Sequence, residues 1–94
     1  MSNMKAALIQ KDRTSLGNNC FVEIVIWQVS PVPGSAHGYK YRLALVIDDA
    51  CVLRYDNEAG KGDHKHLGGC EFPYTFTTPE QLVHDFWADA AQLL

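Results

Sequence analysis

Two histidines, His64 and His66, stand one residue apart within a stretch that is rich in glycine and charge. On an extended strand, such side chains project from one face, about 6–7 Å apart along the backbone. Two imidazoles at that spacing suit acid/base catalysis on a phosphodiester: one takes the 2′-hydroxyl proton and the other protonates the leaving oxygen. Lys61 and Arg54 would then stabilise the negative charge on the phosphate. These four residues form the predicted catalytic group.

The same histidines have two other interpretations, metal binding and plain solvent exposure. A metal site would need a third ligand, for which Asp56, Asp63 and His37 are candidates. Solvent exposure of the histidines would need no partner residue. A polar segment between glycines often forms an exposed strand at the edge of a sheet. Histidine titrates near neutral pH, as acid/base work requires. We therefore adopt the acid/base hypothesis, with no metal and no cofactor.

A second group of residues near the histidines is predicted to bind substrate. Aromatic and basic residues alternate along the neighbouring strands, as on some RNA-binding surfaces. An ordinary half-buried sheet shows the same alternation, and Asx side chains near strand ends often only bond to the backbone. The predicted substrate-binding residues are Lys40, Arg42, Tyr55, Asp56, Asn57 and Asp63.

Length and composition predict one globular domain that spans residues 1–94, with 47% apolar and 20% charged residues. No apolar run approaches the roughly 18–20 residues that cross a membrane. The N-terminal apolar patch is too short for a signal peptide, so a cytoplasmic location is expected. The three cysteines show no metal-ligand spacing and are expected to be free thiols. Net charge is −3, and all eight Lys/Arg residues lie within residues 5–65, which leaves an acidic C-terminal segment.

Four strands are predicted ahead of the histidines, at residues 5–14, 21–29, 39–47 and 51–56. The alternation is clearest over 39–47, where Lys40 and Arg42 share one face and Tyr41 and Leu43 the other. Whether Arg42 and Arg54 share a face depends on the pairing register, which a slip of one residue would invert. Residues 64–67 are a candidate for a short fifth strand.

A C-terminal helix is predicted from Thr78 onward. Thr78 is a favourable N-cap, Pro79 suits the first helical position, and Gln81 completes a capping box. The predicted apolar stripe comprises Leu82, Val83, Phe86, Trp87, Ala90, Leu93 and Leu94. Strands followed by one helix indicate an α+β fold: an antiparallel sheet of four to five strands with one C-terminal amphipathic helix packed on one face.

Four segments make the chain resemble the TumE family, small prokaryotic toxins of toxin–antitoxin pairs. They are 39–43 (Tyr-Lys-Tyr-Arg-Leu), 54–58 (Arg-Tyr-Asp-Asn-Glu), 60–66 (Gly-Lys-Gly-Asp-His-Lys-His) and 73–76 (Pro-Tyr-Thr-Phe). The resemblance extends over nearly the whole chain. It implies a toxin that acts on RNA or translation, with a cognate antitoxin protein as partner and RNA or the ribosome as target.

Two functional hypotheses follow, and whether the protein is an enzyme stays open at this point. The first is a toxin that cleaves RNA with the histidine pair. The second is a non-enzymatic interaction module, which would form a homodimer or bind a partner through an exposed sheet edge or through residues 21–29. An interaction module has no need of titratable groups clustered in a glycine-rich segment.

Overall fold

A computed structural model describes residues 6–29, 37–58 and 62–94. Within these ranges, six strands are followed by one helix. In chain order the elements are β1 (Ala7–Gly17), β2 (Cys20–Gln28), β3 (Tyr39–Ile47), β4 (Ala50–Glu58), β5 (Gly62–Leu67), β6 (Cys70–Pro73) and α1 (Pro79–Leu93). All pairs are antiparallel, and the order across the sheet is the order in the chain.

The predicted antiparallel sheet with a C-terminal helix is confirmed, but the prediction of four to five strands is wrong. The sixth strand, β6, has only four residues and lacks the β-branched residues that mark a strand in sequence. Gly68 and Gly69 end β5 and form the turn between β5 and β6. Their φ values of 62° and 129° are ones that glycine adopts without strain.

Tight turns explain why the sheet keeps the order of the chain. Asp48 and Asp49, between β3 and β4, have φ values of 50° and 65°. Two successive left-handed residues match the type I′ turn, whose twist suits a hairpin. Asn19, at the turn between β1 and β2, has φ 60°, and its carbonyl oxygen accepts a 2.8 Å hydrogen bond from the Asp48 N–H. The two turns therefore support each other at one end of the sheet.

The pairing register divides the side chains between two faces, because directly opposite residues of an antiparallel pair share a face. The first, called the helix face, lies under α1 and includes the row Ile24, Leu43, Tyr55 and Lys65. The second, called the open face, lies on the side away from α1 and includes the row Val25, Arg42, Asp56 and His64.

The core lies between the helix face and α1. Its fully buried members are Val22, Ile24, Ile26, Tyr41, Leu43, Leu45, Leu53, Tyr55, Leu82, Phe86 and Ala90. Of the predicted helical stripe, Leu82, Phe86 and Ala90 are buried, Val83 and Trp87 pack against the core, and Leu93 and Leu94 are exposed. The apolar side of α1 is thus covered by the sheet only as far as Ala90. Tyr74 and Phe76 pack against the core from the segment before α1.

The start of α1 is fixed largely as the sequence predicts. The Thr78 side chain accepts a 3.0 Å hydrogen bond from the Gln81 N–H, and Pro79 opens the helix. The Gln81 amide donates forward to Asp85 at 2.7 Å, so only the first half of the capping box forms. No helix in the described ranges is long and apolar enough to cross a membrane.

Candidate functional site

The open face concentrates positive charge on a protein whose net charge is −3. Among the residues whose side chains the structure describes, five Lys/Arg side chains and three carboxylates share this face. The basic residues are Lys11, Arg13, Lys40, Arg42 and Arg54, and the acidic residues are Glu23, Asp56 and Glu71. The helix side, by contrast, includes the acidic residues of α1. An anionic ligand would therefore favour the open face.

Both histidines of β5 project from the open face. Their side chains are 21% exposed for His64 and 33% for His66, so both imidazoles contact solvent. His64 Nε2 lies 3.3 Å from Glu71 Oε2, and His66 Nε2 lies 3.8 Å from Asp56 Oδ1. Each imidazole thus has a carboxylate beside it and still has room to meet a ligand.

Arg54 is held beside the histidines by charge and not by a hydrogen bond. Its Nε lies 3.0 Å from Asp56 Oδ2, but the N–H does not point at that oxygen. The Nε atom is buried and has no hydrogen-bond acceptor within the part of the chain that the structure describes. The Arg54 side chain as a whole is 33% exposed, so a ligand would contact its exposed part and not the buried Nε.

Glu23 lies between two arginines at the other side of the open face. Its carboxylate is 3.4 Å from Arg13 Nη1 and 3.6 Å from Arg42 Nη1. Both arginine side chains are more than half exposed, and ion pairs of that kind are weak. Arg42 can therefore exchange Glu23 for a ligand anion at little cost.

The structure answers the register question and sorts the predicted site residues by face. Arg42 and Arg54 share the open face, since Arg42 pairs with Asp56 and Arg54 pairs with His66. The predicted site residues on the open face are His64, His66, Arg54, Lys40, Arg42 and Asp56. Those on the helix face are Tyr55, Asn57 and Asp63. Lys61 lies outside the described residues.

Asn57 has a structural role that its position in the motif does not reveal. It is 2% exposed, and its Oδ1 accepts a 2.9 Å hydrogen bond from the Tyr41 N–H. Its Nδ2 donates to the Tyr39 carbonyl oxygen at 2.7 Å. The amide thereby satisfies two backbone groups of β3 that the ladder to β4 leaves unpaired.

Asp63 joins a network on the helix face that includes His37, another of the candidate metal ligands. The Tyr41 hydroxyl donates to Asp63 Oδ1 at 2.6 Å, and His37 Nε2 lies 2.8 Å from the same oxygen. His37 Nδ1 accepts from the Tyr39 N–H, so its proton is on Nε2. Burial raises the pKa of Tyr41 far above its usual value, and the bond to Asp63 adds to the effect. His37 also stacks on Phe76 at 3.9 Å.

Tyr55 and Lys65 connect the sheet to α1. The Tyr55 hydroxyl and Lys65 Nζ both donate to Asp89 Oδ2, the latter at 2.8 Å. Burial opposes ionisation of Asp89, but these two hydrogen bonds outweigh it and lower its pKa. The Tyr74 hydroxyl donates to Asp85 at 2.6 Å. Asp85 and Asp89 therefore border the interface between α1 and the sheet.

The metal hypothesis for the histidines receives no geometric support. Among residues 6–29, 37–58 and 62–94, no group of three or more His, Cys, Asp or Glu side chains is arranged to bind a metal ion. Two of the three candidate third ligands, Asp63 and His37, lie on the helix side of the sheet. The cysteines Cys20, Cys51 and Cys70 are free thiols.

Comparison with known proteins supports the resemblance found in the sequence. The family model described as Toxin TumE matches residues 4–94. Neither the curated proteins nor the solved structures include a match to the chain. A toxin family suggests an antitoxin as partner. Since the matched range includes all six strands and the helix, the chain belongs to the TumE toxin family.

Proposed function

We propose that this protein is the toxin component of a toxin–antitoxin pair and that it cleaves RNA at the open face. One observation supports the proposal most directly. Alternation along β3, β4 and β5 brings His64, His66, Arg54 and Arg42 together on one face, the side away from α1. Residues up to 24 positions apart in sequence thereby form one cationic, titratable surface.

The reaction that fits this surface is transphosphorylation of the RNA backbone. One imidazole accepts the proton of a ribose 2′-hydroxyl as the 2′-oxygen attacks phosphorus. The bond from phosphorus to the 5′-oxygen breaks, and the other imidazole, protonated, donates its proton to that oxygen. The products are a 2′,3′-cyclic phosphate and a 5′-hydroxyl end. The two proton transfers balance, so the step needs no metal ion or cofactor.

Arg54 and Asp56 have supporting roles in this proposal. Arg54 stabilises the extra negative charge on the phosphorane, since cationic donors aimed at developing charge are the largest source of such catalysis. Asp56, which is 14% exposed between Arg54 and His66, orients both side chains. Lys40 and Arg42 bind neighbouring phosphates. Lys61 stays in the predicted catalytic group on sequence grounds alone.

Induction in a bacterial host tests the biological part of the proposal. Wild-type protein should arrest growth, and co-expression of the antitoxin from the neighbouring gene should restore it. The His64→Ala/His66→Ala double variant should not arrest growth. The matched control is His84→Ala, which removes an exposed histidine on α1 and should leave the arrest unchanged. Arrest by the double variant would exclude the histidine pair as the cause.

Cleavage of purified RNA in the presence of EDTA tests the chemistry. The expected products carry 2′,3′-cyclic phosphate ends, and their formation should show a bell-shaped pH profile. Arg54→Ala should lower the rate by about 100- to 1,000-fold if Arg54 stabilises the phosphorane. A requirement for divalent ions, or 3′-hydroxyl products, would contradict the mechanism.

A second candidate function is protein interaction through β1. This edge strand has eleven residues and is exposed along most of its length, with Leu8 and Ile9 about half exposed. The opposite edge, β6, has four residues and ends in Pro73, a form that discourages strand addition. Sedimentation at several concentrations tests self-association. A strict monomer that binds no co-expressed neighbour would exclude this function.

A further inference from the structure

We propose that Trp27 is a subsite on which a base of single-stranded RNA stacks. This inference rests on the proposed function, because the same RNA strand would reach the histidines. Trp27 is half-buried on the open face of β2, directly opposite Lys40 of β3. The tyrosines of the neighbouring strands, Tyr39, Tyr41 and Tyr55, lie on the helix face. Trp27 lies on the open face, next to the basic residues of β3.

The surface around Trp27 suits a nucleobase with a phosphate beside it. A shallow cavity of about 210 Å³ is lined by Val25, Trp27, Lys40, Tyr41 and Arg42. Val25 and Trp27 supply an apolar floor, and the two cations lie at its border. Stacking on an aromatic ring beside cationic groups is how proteins bind single strands with little sequence preference.

A second cavity continues from the first toward the histidines. Its volume is about 270 Å³, and it shares Lys40 and Arg42 with the first while extending to Arg54 and Asp56. Asp56 pairs directly with His64 on the next strand. Neighbouring strands are about 4.8 Å apart, so β2 and β5 are separated by about 14 Å across the sheet. An RNA strand crossing the sheet would place one base on Trp27 and a phosphate a few nucleotides away at His64.

Charge favours RNA over a protein as the occupant. Among the side chains that the structure describes, the open face has five Lys/Arg residues against three carboxylates, whereas the whole chain has a net charge of −3. A base in a duplex is stacked and cannot reach an aromatic side chain, so the strand must be single. The apolar residues Val25 and Trp27 are flanked by Lys11, Lys40 and Arg42, which an apolar protein partner would have to desolvate.

Tryptophan fluorescence provides a direct test, because the chain has only two tryptophans. Trp87→Phe leaves Trp27 as the only tryptophan, whose emission is excited selectively at wavelengths that tyrosine does not absorb, and His64→Ala/His66→Ala prevents cleavage during the titration. A single-stranded RNA oligonucleotide should quench Trp27 emission. An abasic oligonucleotide with the same number of phosphates should bind without quenching, and a duplex should also leave Trp27 emission unchanged.

Affinity measurements on the cleavage-dead protein complete the test. Trp27→Ala should weaken binding of single-stranded RNA by about 5- to 150-fold and leave binding of the abasic strand unchanged. Phe72→Ala is the matched control, since it removes an exposed aromatic side chain from the helix face. Circular dichroism and thermal melts establish that each variant is folded.

The outcomes separate this inference from the proposed function. Quenching by RNA without any cleavage by wild-type protein would overturn the catalytic roles and keep the subsite. Cleavage by wild-type protein without quenching, or equal loss of affinity for RNA and the abasic strand, would overturn the subsite. Quenching by the antitoxin and not by RNA would overturn the subsite as well and assign Trp27 to a protein interface.

Discussion

The two faces of the sheet differ in how tightly their polar groups are bound. On the helix face, Tyr41 bonds to Asp63 at 2.6 Å and Tyr74 bonds to Asp85 at 2.6 Å, in half-buried surroundings. On the open face, Glu23 lies 3.4 and 3.6 Å from its two arginines. The helix face therefore uses its polar groups to fix the fold. On the open face, Arg13 and Arg42 are weakly paired and can meet a ligand, whereas Arg54 stays close to Asp56 at 3.0 Å.

Because side chains alternate between the two faces of a strand, consecutive residues serve ligand binding and fold stability in turn. Along β4, Arg54 and Asp56 belong to the open face, and Tyr55 and Asn57 belong to the helix face. One four-residue segment thus contains two residues of the proposed site and two residues that hold the structure together. Substitutions at adjacent positions should separate stability from activity, and their effects are expected to decrease in the order that follows.

The largest expected effect comes from the centre of the helix-face core. Phe86→Ala should lower the free energy of unfolding by about 3–5 kcal/mol, because Phe86 is fully buried and its removal leaves a cavity. Val25→Ala, on the half-buried open face, should cost clearly less. Urea denaturation measures both. Equal losses would show that the two faces are packed alike.

Asn57 and Asp56 offer the sharpest comparison of neighbours. Asn57→Ala should cost about 1–3 kcal/mol for each backbone group that loses its partner, without any direct effect on RNA cleavage. Asp56→Ala should lower the rate of RNA cleavage and leave the fold intact. Denaturation curves and cleavage rates are measured on both variants. The reverse pattern would place the site on the helix face.

Acid should weaken the helix face through Asp89. In the folded protein the pKa of Asp89 is lower than in the unfolded chain. At a pH between these two pKa values, the unfolded chain therefore binds more protons than the folded protein. Stability should therefore fall as pH drops from the ordinary aspartate range through the lower folded pKa. Asp89→Asn and Lys65→Met should each remove part of this acid dependence. Denaturation midpoints between about pH 5 and pH 2 give the measurement.

The smallest effect is expected on the open face at Arg13. Its side chain is 64% exposed, and its ion pair with Glu23 is 3.4 Å long. Arg13→Ala should change the free energy of unfolding by less than about 1 kcal/mol. Denaturation at low and high salt checks this value. A larger loss would mean that contact of the guanidinium with the Phe21 ring, 3.9 Å away, contributes to the fold.

Local patterns predicted the elements and the faces of single strands. The alternation in 39–47 assigned Tyr41 and Leu43 to one face and Lys40 and Arg42 to the other, as the structure has them. The N-cap at Thr78 was equally clear, because capping depends on neighbouring residues. Local sequence patterns did not predict the contacts between segments that are distant in sequence. Those contacts decide which residues can form a site.

Tyr55 and Asn57 show what sequence alone did not reveal. Both belong to a polar motif, yet one reaches Asp89 on α1 and the other bonds to the backbone of β3. Neither partner can be found without the pairing register, since a slip of one residue exchanges the two faces. His37 was missed for the same reason, because its partner Asp63 is 26 residues away.

The order of the elements has a consequence for how the protein folds. Each strand pairs with its predecessor across the sheet, so most contacts form between near neighbours in the chain, and such topologies fold quickly. The helix is the exception, since Leu82 and Phe86 join the core only after every strand has been synthesised. We expect the nascent sheet to remain loosely packed until α1 docks. Docking of α1 is therefore the step that completes the core.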